Sequence, residues 1–154
     1  MADPIVEQIA AEIATRIAEV TETNGFEQDL VPIRPEKVDY HDQAPVEYSV
    51  LINQGDEDKA ERQANTLIEW NQPFALQAIV LDSDGTSGSV DTKRNRVRAD
   101  IQKKLMEDPT RNSLARDTVI EPSTLFNDGE GFCGIQINIV VRYRTQIDDP
   151  YTLG

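Results

Sequence analysis

From Phe132 to Arg144 the chain alternates strongly. Ile135, Ile137, Ile139, Val141 and Tyr143 fall on one side of a strand, and Gln136, Asn138, Arg142 and Arg144 fall on the other. The same period of two runs through "PVEYSVLIN", where Val46, Tyr48, Val50 and Ile52 alternate with Glu47, Ser49 and Asn53, and predicts a half-buried strand. "EWNQPFALQAIVLD" reads as another strand, long and bent near Pro73. A short strand around Thr118–Glu121 precedes the terminal one, with "NDGEG" between them.

Two segments switch to a helical period. Val6, Ile9, Ile13, Ile17 and Val20 recur at steps of three or four, with Asp3 as a cap, Pro4 at the first helical position and "NG" at Asn24 and Gly25 as the stop. Val97, Ile101 and Leu105 predict a second helix from about Val90 to Asp108, ended by Asp108 and Pro109. Between the first helix and the first clear strand, Pro32 and Pro35 exclude helix and confine any strand to an edge. "DEDKAERQANTL" fits either a short helix or an acidic loop leading into a strand, and its pattern does not decide. The expected class is therefore α+β: a central, mostly antiparallel β-sheet with two main α-helices packed on it, as one domain over residues 1–154.

With 154 residues, such a domain buries roughly 70% of the surface its unfolded chain exposes, and it needs no staple. Cys133 is the only cysteine, so no intramolecular disulfide forms and no cysteine-based zinc site is expected. No apolar run approaches the roughly 18 residues of a membrane span, and "MADPIVEQ" lacks a signal-peptide pattern. A soluble chain, made in a reducing cytoplasm and not secreted by that route, is the expectation.

Charge adds direction. The formal net charge is -13, so the chain as a whole repels nucleic acid. Its bases crowd into one segment, with Lys93, Arg94, Arg96, Arg98, Lys103 and Lys104 on the second helix, while Asp56, Glu57 and Asp58 head the acidic run from Gly55 to Glu61. Helical geometry places Lys93, Arg96 and Lys103 or Lys104 near one exposed side. Three readings stay open: a solvated face, a contact with a nucleic acid, or a basic face that meets the acidic segment of a neighbouring copy.

No catalytic constellation emerges. His41, the only histidine, has acids beside it but no Ser or Cys in a nucleophile-elbow context. "DSDG" at Asp82–Gly85 opens like a calcium loop, yet the later ligands are missing, so it reads as a turn. "GEGFCG" at Gly129–Gly134 precedes a strand instead of opening a helix, and reads as a hairpin connection.

The closing "GIQINIVVRYRTQIDDPYTL", preceded by "DPTRNSLARDTVIEPSTLF" and a helix, and further upstream by "IEWNQPFALQAIV", resembles the tail terminator (tail completion) proteins of long-tailed bacteriophages. The likeness covers most of the chain in its order of elements and includes Tyr143-Arg144-Thr145 and Asp149-Pro150-Tyr151; the acidic insert Gly55–Arg62 follows no strict family pattern. What the resemblance implies is a structural virion protein of the tail–neck region, assembled in the host cytoplasm. Its subunits form a homohexameric ring on the tail tube protein, end tube polymerisation and present a surface to a neck or head-completion protein. Genomic DNA passes through without specific binding, and no reaction, cofactor, metal or membrane is involved. Another head–tail connector (an adaptor, stopper or neck protein) or a small enzyme with an unrecognised site is the alternative. The candidate contacts are Asp56, Glu57, Asp58, Arg94, Arg96, Arg98, Lys103, Lys104, Arg142, Arg144 and Tyr151. In this reading Tyr143 fills the core, Arg142 and Arg144 on the opposite side offer donors to a partner's carboxylates, and Tyr151 anchors the tail after the turn at Asp149 and Pro150.

Overall fold

The computed structural model describes residues 2–35, 46–64, 66–81, 89–127 and 132–154, and every structural statement below concerns these residues. His41, the Asp82–Gly85 turn and the first half of the Gly129–Gly134 connection, residues 129–131, lie outside them. Two helices, α1 (Ile5–Ala18) and α2 (Val90–Met106), accompany seven strands: β1 (Val31–Ile33), β2 (Ser49–Gln54), β3 (Asp58–Ala64), β4 (Leu67–Leu81), β5 (Asp117–Ile120), β6 (Thr124–Asn127) and β7 (Phe132–Gln146). This is an α+β fold with one mostly antiparallel sheet.

Its spine is the antiparallel ladder between β4 and β7, which runs without a slip from Leu67 opposite Gln146 to Leu81 opposite Phe132. Each long strand then takes two short ones on its outer edge. β3 and β2 divide the edge of β4, β5 and β6 divide that of β7, and β1 adds in parallel to β2. The proline-bearing β1 is an edge strand, as its sequence requires. β3 decides the open reading of "DEDKAERQANTL": there is no short helix, and after Asp56 and Glu57, which belong to no element, Asp58–Ala64 is already strand; β6 has no counterpart in the hydrophobic pattern. Both lie on the rim of the sheet, where the hydrogen bonds of a long neighbour decide the conformation and little apolar burial is needed to reveal it.

Both helices pack on one face. Ile9, Ile13 and Ile17 of α1 and Val97, Ile101 and Leu105 of α2 meet Phe74, Leu76 and Ala78 of β4 and Ile135, Ile137, Ile139 and Val141 of β7. The core row of α1 begins at Ile5, with Val6 only half-buried. Pro4 itself is the N-cap residue, and no side chain, Asp3 included, bonds there; the first helical N–H, that of Ile5, donates to the carbonyl of Pro150 at 3.1 Å. Gly25 does not end α1 either. With φ of +88° it closes the separate 3-10 turn Glu22–Asn24, four residues beyond the helix end. α2 starts where Ser89 Oγ accepts the Thr92 N–H at 3.2 Å and stops at Met106, short of Asp108.

Pro73, in a central strand, requires a local solution. Gly55, in the break between β2 and β3, donates its N–H to the Pro73 carbonyl at 2.9 Å, but proline cannot return the second bond of that pair. The buried Gln72 supplies the missing donor. Its Nε2 reaches the Gly55 carbonyl at 2.8 Å and the Pro73 carbonyl at 2.9 Å. A Cβ at position 55 would stand 3.1 Å from the proline ring, so glycine suits this close approach.

A charge cluster ties the helices together. Arg111 is wholly buried; its guanidinium donates to the carbonyls of Leu105 and Asp108 at the end of α2 and pairs with Glu12 of α1 at 3.3 Å. Burial pushes its pKa down, against the pull of Glu12 and Asp108. The backbone turns left-handed over Arg111, Asn112 and Ser113 (φ 51°, 57° and 65°) to aim the side chain inward. The Asp108 carboxylate holds that turn, accepting from the Thr110 hydroxyl at 2.6 Å, the Asn112 N–H at 2.8 Å and Arg16 at 3.3 Å.

Candidate functional site

The helices leave the second face of the sheet uncovered over its middle. There the register lines up one row across four strands, from Asp58 to Asn71 to Arg142 to Asp117. Beside this row lies a groove of about 340 Å³. Pro73, Val119 and Val140 form its apolar part, while Asp56, Asp58, Glu121, Asn71 and Arg142 supply the polar lining. Asp56, Asp58 and Glu121 are exposed and make no ion pair among the described residues. Arg142 is half-exposed and held only loosely by Asp117, at 3.7 Å.

The acidic segment is split between the two sides of the sheet. Asp56 and Asp58 line the groove, whereas Glu57 accepts a hydrogen bond from the Tyr143 hydroxyl on the helix side. Burial, and then Glu57, push the Tyr143 pKa far up, so this hydroxyl stays protonated.

Two arrays flank the groove. Toward the end of β7, Glu69 receives Arg116 at 2.9 Å and Arg144 at 3.6 Å. In the other direction four amides form a ladder across the strands. Asn53 donates to Gln77 at 3.2 Å, Gln77 to Gln136 at 3.1 Å, Gln136 to Asn138 at 2.8 Å, and Asn138 to the Pro122 carbonyl at 3.1 Å. Half-buried amides paired this way keep a polar face ordered without an apolar cover.

The basic helix differs from its expected form. Lys93 and Lys104 do not share an exposed side, because they are 5% and 9% exposed. Lys93 pairs with Glu47 at 3.1 Å, and Lys104 with Glu19 at 2.7 Å and Glu107 at 3.0 Å; the bond between Lys104 and Glu19 raises the lysine's pKa and lowers the carboxylate's. Arg94 donates to the Phe126 carbonyl at 3.0 Å and Arg98 to Ser123 Oγ at 3.0 Å. The stems of these side chains lie along the helix flanks against the sheet while their heads find nearby oxygens. Arg96 and Lys103 are the exposed bases of α2; Lys103 stands over the Phe26 ring, 5.2 Å from its centroid.

Arg142 and Arg144 do lie opposite Tyr143, but each has a carboxylate within its own chain. Tyr151 is exposed and does not anchor the tail. Backbone bonds do so instead, from Gln146 to Thr152 at 3.1 Å and from Gly154 to Arg144 at 3.2 Å, and Asp149 accepts from the Tyr151 N–H at 3.0 Å and the Thr152 hydroxyl at 2.6 Å. Thus the structure brings Asp56, Asp58 and Arg142 into one groove, turns Glu57 away from it, and keeps the α2 bases on the other side of the molecule. Asn71, Glu121 and Asp117 escape sequence reasoning. The register between strands distant in sequence is the signal that unites them with the groove.

Among the described residues no group of three or more His, Cys, Asp or Glu is placed to hold a metal ion, and no helix is long and apolar enough to cross a membrane. No protein-family model matches the chain, and a search of curated proteins finds no match to it.

Proposed function

We propose that the chain is a ring-forming subunit that caps the tail tube of a long-tailed bacteriophage, ends tube growth and offers the upper surface to which the neck of the filled head joins. The observation that carries the reading is the contrast between the two faces of the sheet. One is closed by the chain's own helices, while the other exposes a groove with three carboxylates that lack ion-pair partners among the described residues, the kind of surface a protein neighbour would complete. The resemblance of the closing segment to tail terminators supplies the identity of the neighbours: further copies of the same chain, the tail tube protein, and a neck or head-completion protein. Each copy adds a net charge of -13 around the exit path, which favours passage of DNA over its retention.

The test is a phage with this gene deleted. It should make tails of irregular, excessive length and leave filled heads unjoined. Normal tail length in that mutant would reject the proposal, and a dodecameric ring bound to the portal would reassign the chain to the adaptors.

A further inference from the structure

The groove and the exposed bases of α2 lie on opposite sides of one subunit: the groove on the uncovered face of the sheet, the bases on a helix that covers the other face. Arg96 and Lys103 are seven residues apart, two turns of helix, so they project from the same side about 10 Å apart along the axis. Neither has a carboxylate partner among the described residues, and neither do Asp56, Asp58 and Glu121. The other arginines of the uncovered face cannot play the same part, since Arg116, Arg142 and Arg144 already face Glu69 and Asp117.

We infer that the groove binds the α2 surface of a second copy, with Arg96 and Lys103 of that copy set against Asp56, Asp58 and Glu121. The inference rests on the ring reading and says how its neighbours touch. Because the complementary patches lie on opposite sides of the molecule, the contact is heterologous, and repetition gives a closed ring or an open helix instead of a two-fold dimer. The apolar residues Pro73, Val119 and Val140 give the joint an interior from which water is excluded, while the charges set orientation and association rate. Five exposed side chains meet there, and the four changed below, Asp56, Asp58, Arg96 and Lys103, can be altered with little effect on the fold.

The experiment compares three variants with the native sequence by sedimentation and native mass spectrometry, up to millimolar chain concentration, with thermal melts to establish folding. One variant carries Asp56→Lys and Asp58→Lys, the second Arg96→Glu and Lys103→Glu, and the third all four. The native chain should self-associate, and each double variant should associate roughly tenfold or more weakly, because like charges now meet. The fourfold variant should recover assembly, as should an equimolar mixture of the two double variants. A native chain that stays monomeric throughout, double variants that assemble normally, or a fourfold variant that folds but fails to recover would overturn the inference. Capping of purified tail tubes is scored separately. Tubes capped equally well by all variants would leave the cap standing and remove this contact, whereas charge-dependent assembly without capping would keep the contact and remove the cap.

Discussion

Neighbouring residues of β7 belong to different worlds. Ile137 is buried beneath the helices, and Asn138, one step along, lies half-buried in the amide ladder of the uncovered face. The same strand therefore carries two kinds of specification. On the helix side, shape and apolar volume hold the fold; on the other side, over the middle of the sheet, hydrogen bonds and paired charges order a polar surface with a groove left open in it. Such a sheet is complete as a folding unit and incomplete as a surface.

If that contrast is right, the largest losses of stability come from the helix side. Arg111→Ala should cost about 3–5 kcal/mol, since it leaves the Leu105 and Asp108 carbonyls without their donor and removes one of the two cations that Glu12 faces, Arg16 at 2.7 Å being the other. Chemical denaturation measures it, and a cost under about 1 kcal/mol would mean that the cluster does not hold the helices. The sharpest comparison pairs the two neighbours directly. Ile137→Ala should cost about 2–5 kcal/mol through the cavity it opens, and Asn138→Ala about 1 kcal/mol through the two links of the ladder that this half-exposed amide makes. Equal costs would erase the distinction between the faces.

Gln72 offers a smaller and more local test. Gln72→Ala should cost about 1–3 kcal/mol by leaving the Gly55 carbonyl without its donor. Adding Pro73→Ala should restore part of that loss, because the new backbone N–H can complete the pair with Gly55. No recovery in the double variant would show that Gln72 does not stand in for the missing bond.

The smallest effect is pH dependence. The Asp108 carboxyl is held below its usual 3.8 by hydrogen bonds from Thr110 and Asn112, and Glu19 below 4.5 by Lys104. A depressed folded pKa contributes stability that is present above the unfolded value and is lost as pH falls through the folded one. Stability should therefore decline below about pH 4, and Asp108→Asn should flatten the lower end of that decline. An identical acid limb in the variant would remove Asp108 from the account.

Much of this architecture was legible in the sequence because burial on one face leaves a period. Ile135 to Tyr143 announce both the strand and its inner side, and Ile9, Ile13 and Ile17 announce α1. What stayed hidden has no such period. β3, with Asp58, Lys59 and Glu61 in it, is extended because β4 is beside it, and the groove unites residues from β3, β4, β5 and β7 whose proximity depends on register. The bases of α2 misled for a related reason. Charge in a helix sequence suggests a solvated face, yet Lys93 and Lys104 reach Glu47 and Glu19, partners that only the tertiary fold brings near.

The proposal that copies of this chain close over the end of a tail tube is addressed most directly by one measurement. Purified chain is added to growing, uncapped tubes of the same phage, and the tube ends are imaged by electron microscopy while tube length is followed in time. The account predicts a sixfold ring of this chain at one end of each tube and an immediate halt to elongation there. Tubes that keep growing in its presence, with no added density at either end, would contradict it.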